Sequence, residues 1–541
     1  MTRAQRSVRR FGDGALIAEV ASVGEAHGIA AAVARAPGWR GTEDVVVGYR
    51  TVVVIADPSV ADLDALEHEL ARIPADGGGP RSKRRVEIPV AFDGPDLDEV
   101  AQLASTTPDG VIDQLLGCEL TVAFIGFLPG FAYLDGLPRA LAAMARRSSP
   151  RTAVPAGSLA IGGGFAGIYP QVSPGGWQLL GRTGFELFDP DTPPFAALRP
   201  GDVVSLHAVE DPGVATVRRR RPLRTTAARV IHVETPGMLS TVQDRGRIGV
   251  ASLGVPRAGA ADPYALRAAN RLVGNEPGAG AIEVTALGPR LRFSGPAHVA
   301  VVGRAEVRVD GRPVEVDTVV PVAAGQELSV GRTLRDLRCY VAVAGGIDLD
   351  PVLGSRSSDV LTGLGPGPLC AGDVLDVGPP TRPRGQMVRH RSEASVESPG
   401  PSLRLLRVVP GPDELGSAGA DGLATGVWEV GPASDRMGVR LSGEALRTTA
   451  PGIASRATVT GAVQIPPDGR PVVLLCDHAT VGGYPVAATV VHADLGVLGQ
   501  LRPGDQVRFD SVSLDEADRA RARAERDLER SVVGWFPVRS D

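Results

Sequence analysis

An aspartate and a histidine lie side by side between an apolar run and a Gly-Gly-Tyr turn, in LLCDHATVGGYP (474–485). Asp477 and His478 could act as an acid–base pair, because histidine titrates near neutral pH. A structural role is the alternative, since no Ser-His-Asp spacing, HExxH motif or carboxylate pair accompanies them. We expect this pair to be catalytic. The residues expected to bind substrate or nucleotide beside it are Asp435, Arg436, Gly482, Gly483 and Tyr484.

A second group of polar residues surrounds a predicted helix start in TVQDRGRIG (241–249) and GVPRAGAADPYALRAANRLVGN (254–275). The pair Asp262 and Pro263 is typical of a cap and a first helical turn. Helix N-termini favour anions. We expect Asp262 to take part in catalysis. Ordinary turn chemistry is the alternative. The residues of this group expected to bind substrate or nucleotide are Gln243, Asp244, Arg245, Asn270 and Asn275.

A third group lies in SPRTAVPAGS (149–158) and PGGWQLLGRT (174–183). Arginine and hydroxyl side chains there could approach an anionic substrate, and consecutive glycines offer backbone amides to it. We expect Arg182 to be catalytic. The alternative is a core tryptophan with surface arginines. The residues expected to bind substrate or nucleotide are Arg151, Ser158, Gly175, Gly176, Trp177 and Thr183.

The stretch IGGGFAG (161–167) contains the spacing G-x-G-x-x-G, which binds dinucleotides only where a strand ends and a helix begins. Pro170, Pro174, Gly175 and Gly176 follow within ten residues of the last motif glycine, and this composition excludes a helix. We therefore expect these glycines to turn one β-strand into the next.

The sequence contains one lysine, Lys83, in the basic run RSKRR (81–85). A P-loop needs Gly-Lys-Ser/Thr, so the sequence has no P-loop. Lys83 is also a poor site for covalent biotin, and we expect no covalent biotin on this chain. The four cysteines include no C-x-x-C pair, and we expect no metal site.

Composition describes a globular protein of 541 residues with a formal net charge of −5. The basic runs 81–85 and 218–221 lack interleaved aromatic residues, so we expect solvated linkers and no nucleic-acid binding. No apolar run has the length of a membrane span, and the first residues lack the apolar core of a signal peptide. We expect no membrane contact and a cytoplasmic location.

Apolar periodicity predicts a mainly β protein with an α+β N-terminal unit over 1–85. In that unit we expect a helix over 60–73 that is capped by Asp57 or Ser59. Short apolar runs separated by Gly and Pro then predict β-barrels or sandwiches. The further predicted segments are a barrel (86–210), a linker (211–228), a β-rich domain (229–381), a flexible loop (382–402), a second barrel (403–512) and a charged helix with a tail (513–541).

A repeat supports the two barrels. VPAGSLAI (154–161), PGGWQLL (174–180) and LRPGDVVSL (198–206) occur in the same order as VTGAVQI (459–465), VGGYPVA (481–487) and LRPGDQVRF (501–509). Such spaced self-similarity indicates one module that is used twice.

At these segments the sequence resembles a pair of bacterial proteins joined on one chain. GFLPGFAYLDGLP (126–138) and 150–183 resemble the B component of the ATP-dependent 5-oxoprolinase, whereas 241–275, 434–441 and 477–485 resemble its C component. The pair is also described as a sporulation-kinase inhibitor and its antagonist, or as allophanate hydrolase subunits 1 and 2. Similar modules form the carboxyltransferase part of urea carboxylase. The sequence departs from the family pattern at Gly117 and Cys118, at Ala261 and at 478–481.

The resemblance implies a cyclophilin-like β-barrel in each half and an active cleft between the B-like and C-like parts. It implies an A-type partner subunit, a small amide substrate, and ATP bound on this chain or on the partner. ATP would activate the lactam carbonyl of 5-oxoproline, and water would open the ring to glutamate. Arg151 and Arg182 would offset anionic charge, and Asp477 or His478 would manage protons.

Two other functions stay open with this resemblance. One is the carboxyltransferase component of a biotin-dependent urea or amide carboxylase, with the biotin carrier on another chain. The other is a regulator that binds a histidine kinase and needs no catalytic cleft. Self-association into a homo-oligomer is open in each case.

Overall fold

The computed structural model of the chain describes residues 6–36, 38–74, 82, 84–147, 149–215, 220, 223, 225, 227–382, 386–387, 402–446 and 453–533. Lys83, most of the predicted loop 382–402 and parts of the predicted linker 211–228 lie outside these residues. Within the described part of the chain, every helix is too short or too polar to cross a membrane.

The N-terminal unit is a four-stranded antiparallel sheet with two helices packed against it. Its elements are β1 (Val8–Arg10), β2 (Ala15–Glu19), α1 (Val23–Arg35), β3 (Thr42–Gly48), β4 (Thr51–Ala56) and α2 (Leu63–Arg72). The strand order is β1-β2-β4-β3. Leu66 and Leu70 of α2 are buried as their spacing predicts, but the predicted cap is wrong. Asp62 caps α2 by accepting the Ala65 amide at 3.0 Å, because Asp57 binds Ser59 in a separate turn.

The first barrel follows directly. Its elements are β5 (Arg85–Val90), α3 (Leu97–Leu103), α4 (Pro108–Leu116), β6 (Leu120–Ile125), β7 (Ala132–Asp135), α5 (Arg139–Ala142), β8 (Arg151–Val154), β9 (Ser158–Gly162), β10 (Phe165–Ile168), β11 (Ser173–Gly175), β12 (Gln178–Arg182) and β13 (Val203–Ala208). Seven strands pair in the order β12-β9-β10-β7-β6-β13-β5, and β8 pairs with β11 separately. Ala91 and Arg182 exchange two backbone hydrogen bonds of 2.9 and 2.8 Å, which join the two ends of the sheet.

The glycines of IGGGFAG form the turn between β9 and β10, where Phe165 pairs with Gly162. Gly163 and Gly164 have φ angles of +60° and +90°, a region that suits glycine. The predicted strand-to-strand turn is confirmed, and no helix follows these glycines to bind a pyrophosphate.

The middle domain is a sandwich of two sheets. Its elements are β14 (Val230–Thr235), β15 (Leu239–Gln243), α6 (Pro263–Leu272), β16 (Ala281–Thr285), β17 (Arg290–Phe293), β18 (Ala297–Val302), β19 (Ala305–Val309), β20 (Arg312–Pro313), β21 (Val319–Val322), β22 (Glu327–Thr333), β23 (Arg338–Val343), β24 (Val374–Asp376) and β25 (Gln386–Met387). The sheets have the orders β20-β19-β22-β17-β14-β24 and β15-β16-β23-β18-β21. Ile231, Leu291, Ile282 and Val341 belong to the apolar core between them. Helix α6 packs against Tyr340 and Ala342.

The second barrel is closed. Its elements, with those that follow it, are β26 (Leu403–Pro410), α7 (Ser417–Thr425), β27 (Trp428–Val430), β28 (Gly438–Ser442), β29 (Arg456–Ala457), β30 (Ala462–Gln464), β31 (Val472–Leu474), β32 (Val481–Gly482), β33 (Val486–Val490), α8 (Leu495–Gly499), β34 (Gln506–Ser511), α9 (Leu514–Ser531) and β35 (Val532–Val533). The barrel order is β26-β33-β30-β31-β28-β27-β34, and β29 pairs with β32 separately.

The two barrels have the same topology. If the strands of each barrel are counted from one to seven, both follow the cyclic order 6-4-5-3-2-7-1, with the first and last strands parallel. Each also carries a two-stranded sheet in the same place, β8 with β11 and β29 with β32. The mainly β fold with more than one barrel is thus confirmed, and the sequence repeat has a structural counterpart.

The first barrel contacts the C-terminal half through the loop 126–131. Gly130 donates its amide to Leu253 O at 2.9 Å. Gly254 has a φ of +78°, and a Cβ atom there would lie 2.0 Å from Leu128 O. The glycine is therefore required for both its conformation and the close approach of the two halves.

We predict that Gly254→Ala lowers the melting temperature more than Gly249→Ala. Gly249 lies in the same loop with a φ of +84°, but a Cβ atom there meets nothing within 4 Å. Both variants incur the cost of a left-handed alanine, about 1 to 2 kcal/mol, and only Gly254→Ala adds a backbone clash. Thermal unfolding of both variants checks this, and equal losses would contradict the close approach.

Candidate active site

A cavity of about 570 Å³ lies where the N-terminal unit, the middle domain, the second barrel and α9 meet. Small-molecule sites commonly have volumes of about 300 to 1,000 Å³. Apolar side chains such as Phe11, Val46 and Leu475 line this cavity together with titratable ones. Among the described residues, none from the first barrel lines it. The cavity is therefore shared by the N-terminal unit and the C-terminal half.

Two buried aspartates of the N-terminal unit bind backbone amides of the C-terminal half across this cavity. The oxygens of Asp13 accept the His492 amide at 3.0 and 2.9 Å, and Asp44 Oδ1 accepts the Ala251 amide at 2.9 Å. Burial raises the pKa of both carboxyl groups. Burial also lowers the pKa of His492. These carboxyl groups join the walls of the cavity and are not free to bind a ligand.

Arginines surround the cavity, and most are paired. Arg257 forms an ion pair with Glu43, and Arg267 donates two hydrogen bonds of 2.7 and 2.6 Å to Glu525 of α9. Arg245 lines the cavity and is exposed, and none of the ion pairs between described residues includes it. Although burial acts in the opposite direction, hydrogen bonds from Ser59 and, among the charges, that of Arg245 lower the pKa of Asp57 on the same wall. Arg245 is thus available to an anionic group of a ligand.

Arg436 is buried between the middle domain and the second barrel. Its Nε and Nη2 atoms each donate to Asp477 at 2.9 Å, Nη1 donates to Glu283, and Nη2 also reaches Gly259 O at 2.6 Å. Although burial acts in the opposite direction, the guanidiniums of Arg436 and Arg338 lower the pKa of Glu283. Asp477 is therefore held as the partner of Arg436, directly behind the cavity wall.

His478 follows Asp477 and lines the cavity. Its Nδ1 atom lies 2.8 Å from Ala479 O and 3.1 Å from Thr458 Oγ1. Because a carbonyl oxygen only accepts, we assign the proton to Nδ1, which leaves Nε2 as an acceptor. Burial lowers the pKa of His478, so the ring is neutral at pH 7 and can accept a proton.

Of the second predicted group, Asp244 and Arg245 line the cavity. Asp244 accepts the hydroxyls of Ser355 and Ser357, both at 2.6 Å. Gln243 is buried and donates to Ser358 O at 3.0 Å. Asp244 and Gln243 thereby hold the segment 355–358 beside the cavity.

The other members of that group lie outside the cavity. Asp262 caps α6 by accepting the Ala265 amide at 3.0 Å, and Gln500 donates to its second oxygen at 2.8 Å. Asn275 donates to Asn270 Oδ1 at 3.0 Å, which closes the loop after α6. These contacts are structural, and the predicted functional roles of Asp262, Asn270 and Asn275 stay predictions.

The third predicted group belongs to the first barrel and is separate from the cavity. Trp177 is buried, with its ring 5.4 Å from Phe131 and 5.6 Å from Tyr133. Arg151 Nη2 donates to Asp96 at 2.6 Å, and Arg182 forms an exposed pair with Asp93 at 2.8 Å. Ser158 donates to Pro155 O, Thr183 accepts the Phe185 amide, and a Cβ atom at Gly175 or Gly176 would lie nearest to Tyr169 or Pro150. Their assignment to substrate or nucleotide stays a prediction.

The remaining predicted residues of the second barrel also lie off the cavity. Asp435 Oδ1 accepts the amides of Met437 and Gly438 at 2.8 and 3.2 Å, which is a turn contact. Gly482 pairs with Arg456 between β29 and β32. Gly483 lies against Arg146 of the first barrel, and Tyr484 is half-buried.

Arg247 and Asp359 are two buried charged residues near Asp244, and they influence each other electrostatically without an ion pair between them. Arg247 is 1% exposed and donates Nη2 to Ser357 O at 2.6 Å. Asp359 Oδ1 accepts the Leu361 and Thr362 amides at 3.0 and 3.1 Å, whereas Oδ2 has no partner among the described residues. Burial, together with the Asp477 carboxylate, raises the pKa of Asp359 to about 6.

Sequence reasoning missed Asp13, Asp44, Arg257, His492 and Glu525. Asp13 lies in the glycine-flanked loop FGDG (11–14), which is the one local signal for any of them. Arg257 lies in a loop within the segment 254–275 but is not among the residues predicted there, and Asp44, His492 and Glu525 come from a strand and helices without a motif. Their meeting depends on the packing of units that are hundreds of residues apart in the sequence.

The structure is that of a two-barrel protein with a cavity shared by an N-terminal and a C-terminal part. Residues 6–198 match the family model described as carboxyltransferase domain, subdomain C and D, and residues 253–511 match carboxyltransferase domain, subdomain A and B. The chain belongs to this carboxyltransferase-domain family, which includes the B and C components of 5-oxoprolinase.

The similar proteins include both components of 5-oxoprolinase and a urea amidolyase. The chain is 38% identical over 310 residues to the 5-oxoprolinase C component of Escherichia coli (strain K12), covering 55% of this chain and 96% of the relative. It is 42% identical over 170 residues to the 5-oxoprolinase B component of Haemophilus influenzae, covering 30% and 76%. The urea amidolyase of Saccharomyces cerevisiae is 31% identical over 311 residues, which are 53% of this chain and 17% of that protein.

A solved structure matches almost the whole chain. The crystal structure of TTHA0988 superposes with a TM-score of 0.81 at 35% identity, covering 94% of this chain and 99% of that one. The B-like and C-like halves are thus fused here.

We predict that Arg436→Met destabilises the protein by about 3 to 5 kcal/mol, because Asp477 then stays buried without its charged partner, whereas Glu283 keeps Arg338. Arg85→Met is the matched control, since Arg85 forms an exposed pair with Glu119. Denaturant unfolding of both variants measures the difference. A loss no larger than in the control would show that Asp477 does not need Arg436 as its charged partner.

We predict that Asp359→Asn stabilises the protein above about pH 6. Because the pKa of Asp359 is raised from 3.8 to about 6, the unfolded chain loses this proton first, and stability falls as pH rises through that window. The asparagine variant lacks this loss and gains up to ~3 kcal/mol. Urea unfolding at about pH 4 and about pH 8 tests it, with the exposed Asp468→Asn as control. An equal or lower stability of Asp359→Asn at the higher pH would refute the account.

Proposed function

We propose that the chain is the fused B–C component of an ATP-dependent 5-oxoprolinase, which opens 5-oxo-L-proline to L-glutamate together with an A-type partner subunit. The observation that carries the proposal is the cavity, whose walls come from both the B-like N-terminal unit and the C-like half. Fusion keeps both walls at high effective concentration.

His478 is the proton acceptor in this proposal. In this proposal the partner protein phosphorylates the lactam oxygen with ATP. Nδ1 of His478 is fixed by Ala479 O, and Nε2 accepts a proton from the water that attacks the activated carbon. The ring C–N bond then breaks, the proton passes to the leaving nitrogen, and a second water releases phosphate from the resulting acyl phosphate. Asp477 has both oxygens bound by Arg436, so it positions the segment that carries His478 and takes no proton itself. The exposed Arg245 offsets the carboxylate charge of the substrate.

The cavity does not fit the triphosphate of ATP. Four aspartates line the cavity: Asp13, Asp44, Asp57 and Asp244. Among the cations of the cavity wall, Arg245 is the one that forms no ion pair with a described residue. Like charges close together repel each other, so this wall disfavours a polyphosphate. We propose that ATP binds outside this cavity, with the partner protein, and we assign no residue of this chain to it.

A second candidate is the carboxyltransferase component of a biotin-dependent amide carboxylase. The descriptions of the matching family models and the similarity to urea amidolyase favour it. This function requires a biotinylated partner chain. In its reaction the amide nitrogen of the substrate would accept a carboxylate group, whereas in the 5-oxoprolinase reaction the ring C–N bond is hydrolysed. Copurification without any biotinylated protein would count against it.

We predict that 5-oxo-L-proline yields glutamate and ADP only when this chain is mixed with an A-type protein from the same organism. We expect His478→Ala to lower kcat about 100-fold or more, because general base catalysis contributes about that much. Arg85→Ala, on the exposed surface of the first barrel, is the matched control. If this chain and the A-type protein are both folded and their mixture does not turn over 5-oxo-L-proline, the proposal is refuted and the carboxyltransferase function is favoured. Full turnover by His478→Ala would remove the role of this histidine.

A further inference from the structure

Thr458 contacts the segment that carries His478 at three points. Its amide donates to Thr480 O at 3.0 Å, its hydroxyl donates to Ala479 O at 2.5 Å, and the same Oγ1 atom lies 3.1 Å from His478 Nδ1. Thr458 is 4% exposed, lies between β29 and β30, and lines the cavity together with His478. One side chain therefore contacts both the ring of the histidine and the backbone next to it.

The direction of the Thr458 hydroxyl follows from these distances. Two oxygens 2.5 Å apart need a proton between them, and a carbonyl oxygen only accepts. The hydroxyl proton therefore points to Ala479 O, and the lone pairs of Oγ1 are left for His478 Nδ1. Because a lone pair can only accept, Nδ1 must carry the proton. The hydroxyl and the carbonyl thus impose the same tautomer on the ring.

This tautomer decides what His478 presents to the cavity. The other ring nitrogen, Nε2, forms no hydrogen bond with any residue of the described part of the chain, and the ring lines the cavity. A free neutral imidazole in water carries its proton mostly on Nε2, so an unrestrained ring would present a donor. The hydrogen bond at one ring nitrogen sets the state of the other. With Nδ1 protonated, the cavity meets an acceptor instead.

Two other units hold the segment that precedes Thr458. Tyr49 of the N-terminal unit donates its amide to Ser455 O at 2.8 Å, and Arg146 of the first barrel donates Nη2 to Ser455 Oγ at 2.8 Å. Strand β29, between Ser455 and Thr458, pairs with β32, which follows His478. The threonine hydroxyl is therefore fixed relative to the histidine by contacts with both parts of the B-like half.

The segment around His478 is itself fixed on both sides of the histidine. Before it, Arg436 binds both oxygens of Asp477. After it, the first barrel comes so close that a Cβ atom at Gly126 would lie 2.2 Å from Val481 Cγ2. The freedom left to the histidine is the rotation of its ring and the choice of tautomer, and the threonine hydroxyl contacts that ring.

We infer that Thr458 is the positioning residue of His478, and that its hydroxyl fixes the tautomer with Nδ1–H and so makes Nε2 the proton acceptor of the cavity. Thr458 acts through the ring and contacts no reacting atom. The tautomer is a property of this chain alone, whereas the effect of Thr458 on turnover rests on the proposed function.

Nitrogen NMR of the full chain, labelled with ¹⁵N-histidine, measures the tautomer without requiring turnover. Protonated and unprotonated ring nitrogens have well-separated shifts, and loss of a signal in His478→Ala assigns it to this residue. In the wild-type chain we expect a protonated Nδ1 and an unprotonated Nε2. We expect Thr458→Val, which removes the hydroxyl and keeps the shape, to populate the Nε2–H tautomer. A wild-type ring that is already protonated at Nε2 would overturn the inference.

Two further variants separate the hydroxyl from general structural effects. Thr458→Ser keeps the hydroxyl and should keep the wild-type tautomer. Thr425→Val removes an exposed hydroxyl of α7 that donates to Asp421 O, and it should leave the His478 signals unchanged. If Thr458→Val does not fold, the wild-type spectrum and that of Thr458→Ser still test the inference. A folded Thr458→Val with the wild-type tautomer would overturn it.

Turnover with the A-type partner distinguishes this inference from the proposed function. We expect Thr458→Val to lower kcat about tenfold or more at an unchanged KM, because a base in the wrong tautomer loses most of a contribution of about 100-fold. Thr458→Ser should restore kcat. A changed tautomer with full kcat would support the positioning role and refute His478 as the base. A changed tautomer in a chain that never turns over 5-oxo-L-proline would support the inference and refute the proposed function. Turnover together with an unchanged tautomer in Thr458→Val would overturn the inference alone.

Discussion

The buried contact between Arg436 and two carboxylates is the constraint on which the candidate site depends. Arg436 of the second barrel binds Asp477 with two hydrogen bonds and Glu283 of the middle domain with another. Removing these charges from water costs free energy, and apolar side chains of similar volume would not incur that cost. The presence of the contact therefore does not show that it stabilises the fold. Its geometry is specific, because a planar guanidinium fixes both carboxylates at once. It thereby sets the position of the segment 475–480, which carries His478 and Thr480 into the cavity.

In the duplicated barrel, the same positions hold aromatic packing in one copy and an ion pair in the other. In the first barrel, the connections β6–β7 and β10–β11 bring Phe131 and Tyr169 together, with ring centroids 5.4 Å apart. In the second barrel, the corresponding connections β27–β28 and β31–β32 bring Arg436 and Asp477 together. Aromatic rings fill the first location and bury it as core. The ion pair in the second leaves a polar neighbourhood, and the cavity lies beside it.

Local signals in the sequence predict much of this architecture. Alternation predicts the strands of the N-terminal unit, the Leu spacing predicts the buried face of α2, and the repeat corresponds to two barrels of one topology. The cavity is harder to predict, because it is a tertiary product. Asp13 and His492 are joined by hydrogen bonds although they are 479 positions apart, and no local pattern encodes such a pairing. Asp477 and His478 are partly predictable. Their adjacency in the sequence suggests an acid–base pair, but only the structure shows that both carboxylate oxygens of Asp477 accept hydrogen bonds from Arg436.

The contacts between the halves also explain why fusion suits this protein. The carboxyl groups of Asp13 and Asp44 are buried where the C-terminal half supplies the amides of His492 and Ala251 to them. On separate chains, both groups would face water before association, and desolvating them would oppose each encounter. On one chain the halves meet without the loss of translational freedom that two separate proteins incur. The cavity then forms as a consequence of folding rather than of protein concentration.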